Sequence, residues 1–187
     1  MRDVSTVHSS RTVLVTGGAR SGKSLHAEGL VAASGRDPVY VATCAAYDTE
    51  MSARIARHRE QRGPGWTTIE EPRDIAAVIA REAAPARAVL VDCLTLWLSN
   101  LLFAEADIEA ETDRLAGALA AAAGPVVLVT NEVGSGIVPE NALARRFRDD
   151  QGRLNRHIAE IADAVVLVAA GLPLVLKPAP AQPEIRL

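Results

Sequence analysis

The chain is short of lysine, aromatic residues and cysteine, and each shortage removes a class of function. Of its 20 basic residues only Lys23 and Lys177 are lysines, and the formal net charge is -3. The overall basic footprint of a nucleic-acid binder is therefore missing. Aromatic side chains make up 3% of the sequence, so stacking platforms for bases are scarce. The two cysteines, Cys44 and Cys93, form no CxxC pair, which removes thiolate metal spacing. A reduced chain of the cytoplasm is the simplest reading of that usage. No apolar run reaches the ~18 residues that a membrane span needs. Residues 1–10 lack an apolar signal core and read as a disordered lead. Residues 178–187 carry three prolines and read as a loose tail.

What remains is an ordinary globular composition, 49% hydrophobic and 23% charged over 187 residues, which fits one domain over 11–177. Short β-branched or apolar runs recur at 12–16, 38–43, 66–69, 88–93, 125–130, 164–169 and 172–177. Helical spacing fills the intervals at 25–33, 48–62, 73–84, 94–103, 108–123 and 141–162. Apolar strands alternating with helices predict a three-layer α/β sandwich with a mainly parallel sheet, and the GxxxxGK[ST] pattern at 17–24 makes it P-loop NTPase-like. Only Ala170 and Gly171 separate the last two strands. Parallel strands need a longer crossover, so this pair is expected as an antiparallel hairpin.

The strongest local signal is Gly17-Gly18-Ala19-Arg20-Ser21-Gly22-Lys23-Ser24, which fits GxxxxGK[ST] between a strand and a helix. Glycines let the backbone turn tightly, so successive N–H groups face phosphate oxygens. The helix that follows adds its positive dipole end. Lys23 would reach the β- and γ-phosphates, and the Ser24 hydroxyl would ligate Mg²⁺. A neighbouring strand should end in an acid that holds the metal. Asp92, closing VLVD, fits, its alternative being a cap for the helix that starts near Leu94. Glu132 is a second acid of the same type, or a loop carboxylate.

Among four histidines, His8, His26 and His157 have no evident partner. His58 shares a helix face with Met51 and Ile55 and a row with Arg54 and Arg62. Two cations disfavour imidazolium and leave the neutral, nucleophilic ring. Glu50 and Glu60 weaken that case, and on composition alone an ordinary helix histidine is the better reading. The basic run Arg145, Arg146, Arg148, Arg153 and Arg156 reads as a solvated face, a phosphate contact or a subunit contact. Trp97, Leu101 and Leu102 read as packing residues, in the core or at an oligomer interface.

Five segments together resemble one family: VLVTGGARSGKS (13–24), YVAT (40–43), EMSARIARHREQR (50–62) with Trp66 and Glu70 behind it, VDCLTLWLSNLL (91–102) and VLVTNEVGSGIVPENALARRFRDDQGRLN (127–155). The family is the bifunctional adenosylcobinamide kinase / adenosylcobinamide-phosphate guanylyltransferase of cobalamin biosynthesis. The resemblance implies two transfers. A nucleoside triphosphate, GTP or ATP, phosphorylates adenosylcobinamide. GTP then guanylylates a histidine, and the cobinamide phosphate takes the GMP to give adenosylcobinamide-GDP. It puts the nucleophile on His58. It also implies guanosine-nucleotide contacts for Thr43, Cys44, Ala45, Arg59, Glu60, Gln61 and Arg62, a nucleotide contact for Glu70, and a trimeric homo-oligomer. A simple P-loop kinase of another small alcohol and a non-enzymatic nucleotide switch are the alternatives.

Overall fold

The computed structural model describes residues 11–44 and 62–178. The expected lead (1–10), the tail from 179 onward and the helix over 48–61 lie outside the described residues. Seven strands and five helices occur among the described residues. In chain order they are β1 (Thr12–Thr16), α1 (Lys23–Ala33), β2 (Asp37–Ala42), β3 (Thr67–Glu70), α2 (Ile75–Glu82), β4 (Arg87–Asp92), α3 (Leu94–Phe103), α4 (Ile108–Ala121), β5 (Val126–Val129), α5 (Ala142–Ile161), β6 (Ala164–Ala169) and β7 (Leu172–Lys177). All strands join one sheet in the order β3-β2-β4-β5-β1-β6-β7. Every pairing is parallel except β6 with β7. The hairpin turns on Ala170 (φ 52°) and Gly171 (φ 81°). Both take the left-handed region that a two-residue turn of the right hand requires.

Strand side chains point alternately to the two faces. Val89 and Val91 of β4 join a cluster with Ile75, Ile79, Trp97, Leu98, Leu115, Leu154 and Ile158, which is the α2–α5 side. Ala88 and Leu90 join the opposite cluster with Ala27 and Val31 of α1. The central strands are covered on both faces, which is why their runs are apolar throughout. Trp97 and Leu101 are 1% and 2% exposed inside this core, so they are core residues of the chain itself rather than surface residues. The Trp97 indole donates to the Arg73 carbonyl at 2.6 Å, giving its N–H a partner.

Helix ends follow side-chain caps. The helix expected from residue 73 starts at Ile75, because Asp74 accepts from the Ala77 N–H and stands outside the helix. Asn141 caps α5 in the same way through Leu143 and Ala144. α1 begins two residues earlier than apolar spacing suggests, which puts Lys23 and Ser24 in its first turn.

Candidate active site

Parallel register aligns the carboxyl ends of the strands. Glu70 is level with Ala42, Ala42 with Asp92, Asp92 with Val129, and Val129 with Val15. The crevice beyond those ends is where open α/β sheets bind ligands. Glu70 and Asp92 lie in that row, and Thr43, Cys44, Glu132 and the phosphate loop follow it within a few positions, whereas Arg62 precedes β3.

The phosphate loop opens at Gly17. A Cβ there would lie 2.4 Å from the Val168 carbonyl and 2.7 Å from Ser21 Oγ, so only glycine fits. Gly22, in the left-handed region, caps α1 without a side chain. The Ser21 carbonyl accepts from the Gly171 N–H at 2.9 Å and ties the loop to the β6–β7 turn. Lys23 is 9% exposed and donates from Nζ to the Gly18 carbonyl at 3.1 Å, so its ammonium lies across the loop. Buried Ser21 Oγ has no hydrogen-bond partner among the described residues. Gly18, Ala19 and Arg20 form the exposed lip.

On the β4 side the crevice is charged. Tyr40 on β2 donates its hydroxyl to Asp92 Oδ2 at 3.3 Å. The Arg62 guanidinium lies 3.4 Å over the centre of the Tyr40 ring, and Trp66 meets the same ring edge-on at 6.3 Å. Arg62 Nη1 is 3.9 Å from Glu28 Oε1, and these side chains are only 3% and 12% exposed. Among the described residues Arg62 Nε, Arg62 Nη1 and Glu28 Oε1 have no hydrogen-bond partner. Burial raises the Glu28 pKa, Arg62 opposes the rise and the Asp92 charge adds to it. Burial, then the Asp92 charge, pushes Tyr40 up so that it stays a neutral donor. Cys93 is pushed up to about 11, chiefly by burial and then by Asp92, so it is a thiol and not a thiolate. Thr43 and Cys93 exchange two 2.8 Å hydrogen bonds, and Asn100 clamps the Thr43 carbonyl. The cap of α3 is Cys93 and not Asp92, which leaves the Asp92 carboxylate facing Tyr40.

On the β5 side the groups are mostly neutral. Glu132 Oε1 accepts from Thr16 Oγ1 and from Asn155 Nδ2, both at 3.0 Å. The Glu132 N–H donates to the Gly17 carbonyl at 3.2 Å. Gln151 and Thr130 hold Asn155 from behind.

Of the residues expected at the site, Gly17–Ser24, Thr43, Cys44, Arg62, Glu70 and Asp92 are described and cluster around this crevice, with Glu70 exposed at its β3 edge. His58, Ala45, Arg59, Glu60 and Gln61 lie outside the described residues. Sequence reading missed Glu28, Tyr40, Thr16, Gln151 and Asn155. Glu28 was accessible as the position one helical turn beyond Ser24. Gln151 and Asn155 were accessible as an i, i+4 polar pair on a helix face that also carries Leu154 and Ile158. Four arginines of α5 have acidic neighbours on the same helix: Arg153 and Arg146 flank buried Asp150, Arg148 pairs with Asp149, and Arg156 reaches Glu160.

Ser24 and Asp92 offer oxygen donors only, the set a hard cation such as Mg²⁺ takes together with phosphate and water ligands. Among the described residues no group of three or more His, Cys, Asp or Glu forms a protein-only metal cage. That suits an ion completed by its substrate, and the residues present fit it.

A profile of the cobinamide kinase / cobinamide phosphate guanyltransferase family matches residues 13–176. The bifunctional adenosylcobalamin biosynthesis protein CobP of Pseudomonas aeruginosa is 47% identical over 169 residues, covering 89% of this chain and 98% of the relative. The bifunctional adenosylcobalamin biosynthesis protein CobU of Salmonella typhimurium is 44% identical over 180 residues, covering 88% and 99%. Among solved structures, the RadB recombinase superposes with a TM-score of 0.50 at 16% identity, covering 83% of this chain and 73% of that one. That likeness concerns the fold alone.

Proposed function

The chain belongs to the cobinamide kinase / cobinamide phosphate guanyltransferase family, and we propose that it phosphorylates adenosylcobinamide and then caps the product with GMP from GTP. It is a bifunctional transferase of adenosylcobalamin biosynthesis. The observation that carries this is the family match running from β1 to β7 over a loop built to grip phosphate.

The first step is γ-phosphoryl transfer. The aminopropanol hydroxyl oxygen of adenosylcobinamide bonds to the γ-phosphorus as the bond to the β–γ bridging oxygen breaks, releasing nucleoside diphosphate. Loop amides from Gly18 to Ser24 and the Lys23 ammonium face the anionic oxygens, and their orientation is set before substrate arrives. The bound nucleotide replaces the Gly18 carbonyl as the partner of Lys23. Mg²⁺, held by Ser24 and Asp92, would neutralise phosphate charge.

The second activity is guanylyl transfer. A neutral His58 nitrogen attacks the α-phosphorus of GTP and pyrophosphate leaves. A phosphate oxygen of cobinamide phosphate then displaces the histidine from the phosphoramidate. Thr43, Cys44, Ala45, Arg59, Glu60, Gln61, Arg62 and Glu70 contact the guanosine nucleotide. Glu70 at the β3 edge and Arg62 over Tyr40 flank the Asp92 end of the crevice, which supports that side for the base and ribose.

We read 11–177 as one transferase domain working in the cytoplasm. No described helix is long and apolar enough to cross a membrane. A trimer is the assembly that the resemblance implies. Exposed Phe103 and Leu143, beside a groove of about 370 Å³ between α3 and α5, supply apolar surface for it. Light scattering of the wild type and Phe103→Asp reads the assembly directly.

Incubation with adenosylcobinamide and α-labelled GTP tests the whole reading. Acid-labile, base-stable label on the protein and adenosylcobinamide-GDP among the products are expected. His58→Ala should lose the label. Active protein without label reduces the function to a simple kinase, and label that survives His58→Ala removes the histidine assignment.

A further inference from the structure

The segment 127–155 buries a set of polar side chains. Thr130 and Gln151 are fully buried and Asn155 is 8% exposed. Burying a polar atom without a partner is costly; here the amide N–H groups and Thr130 Oγ1 are paired, while Gln151 Oε1 has no hydrogen-bond partner among the described residues. Here the partners form a directed chain. Gln151 Nε2 donates to Thr130 Oγ1 at 3.0 Å and to Asn155 Oδ1 at 2.9 Å. Thr130 Oγ1 donates to Asn155 Oδ1 at 2.7 Å. With its oxygen thus occupied, Asn155 turns its amide outward, to the Asn131 carbonyl and to Glu132 Oε1, both at 3.0 Å. Thr16, the residue before the phosphate loop, donates to the same Glu132 oxygen at 3.0 Å.

The chain ends on one exposed carboxylate. Its backbone is tied to the Gly17 carbonyl, and its side chain is held by one oxygen at the mouth of the phosphate loop. Asp92, at the end of β4, is differently engaged: it takes the Tyr40 hydroxyl and shares a charged pocket with Glu28 and Arg62. Two acids with separate supports suit two tasks.

We infer that Glu132 accepts the proton of the attacking hydroxyl during γ-phosphoryl transfer, and that Asn155 and Gln151 are positioning residues that fix its carboxylate. This rests on the kinase reading above. As the hydroxyl oxygen bonds to the γ-phosphorus, its O–H bond breaks and the proton passes to a Glu132 carboxylate oxygen. The γ-phosphorus bond to the bridging oxygen breaks, and nucleoside diphosphate departs. The proton then leaves Glu132 for water.

A merely structural role for Glu132 requires only an acceptor, and the amide oxygen of Glu132→Gln supplies it. That substitution separates the two roles. Steady-state phosphorylation of adenosylcobinamide is measured for wild type, Glu132→Gln, Asn155→Ala and the double variant. Wild type without kinase activity would refute the kinase reading, independently of this inference. With an active wild type, Glu132→Gln should lower kcat about 10²–10⁴-fold while leaving the nucleotide KM nearly unchanged. Asn155→Ala should lower kcat by about tenfold, and the double variant should be no slower than Glu132→Gln alone. A Glu132→Gln kcat within about threefold of wild type overturns the inference. So does a raised nucleotide KM at unchanged kcat, or an Asn155→Ala effect that adds in full to that of Glu132→Gln.

Discussion

The two walls of the crevice solve the same problem with opposite chemistry. The β4 wall stacks Arg62 on Tyr40 between Glu28 and Asp92, and among the described residues several of its charged atoms have no hydrogen-bond partner. The β5 wall joins Thr16, Thr130, Gln151 and Asn155 into a chain that ends on Glu132, with Gln151 Oε1 its one buried atom lacking a hydrogen-bond partner among the described residues. A charged wall responds to whatever charge arrives, because each titrating group feels the others. A bonded neutral wall is set in advance and changes little on binding. The first suits nucleotide capture, the second the fixing of one reactive group.

Substitutions can break or sharpen that contrast. The largest effect is expected at Gly17, whose carbonyl takes the Glu132 N–H at the foot of the phosphate loop. Gly17→Ala drives a methyl against the Val168 carbonyl, whereas a Cβ on Gly18 meets nothing within 4 Å. Gly17→Ala should cost about 3 kcal/mol or more in urea unfolding, and Gly18→Ala less than about 0.5 kcal/mol. Equal costs would mean that the loop is not pinned at Gly17.

Next comes the neutral wall. Gln151→Leu strips the amide donor from Thr130 and Asn155 and should cost about 1–3 kcal/mol. The penalty should be the same at pH 6 and pH 8, since no charge changes. A penalty that varies with pH would erase the distinction drawn here.

Tyr40→Phe keeps the ring under Arg62 and removes only the hydroxyl given to Asp92. A loss of about 0.5–1.5 kcal/mol is expected from the urea midpoint. A larger loss would make the charged wall as interdependent as the neutral one.

The smallest effect is a slope. The folded pKa of Glu28 is raised above its ordinary 4.5, by burial first and Asp92 second, with Arg62 opposing. Between 4.5 and that raised value the folded state holds more proton than the unfolded state. Glu28 therefore lowers stability as pH rises through this window and relieves the cost as pH falls. Relative to Glu28→Gln, wild type should gain stability on acidification from neutral pH toward 4.5, read from paired urea curves. Parallel curves would remove Glu28 from the charged wall.

Much of this was legible from the chain. The runs at 12–16, 94–103, 164–169 and 172–177 coincide with β1, α3, β6 and β7 residue for residue, because apolar periodicity and an Ala-Gly turn are local signals. Lys23 was legible from the GxxxxGK[ST] motif and Asp92 as the acid at the end of an apolar run, not from where α1 begins. Glu28 and Tyr40 were not, since an acid on a helix and a tyrosine in a strand are ordinary until Arg62 lies between them. Gln151 and Asn155 sat inside the segment 127–155 that carries the resemblance, and their i, i+4 pairing went unread.

The sequence by itself determined the phosphate loop, the parallel sheet and its final hairpin, through glycine freedom, strand-length apolar runs and a turn too short for a crossover. Strand order was decided only in three dimensions. By pairing β5 with β1 and β4 with β2, the fold brings Thr16 to Glu132 across 116 residues and Tyr40 to Asp92 across 52. Hydrogen bonds between residues so far apart depend on which strands become neighbours, and periodicity within a strand carries no information about its neighbour.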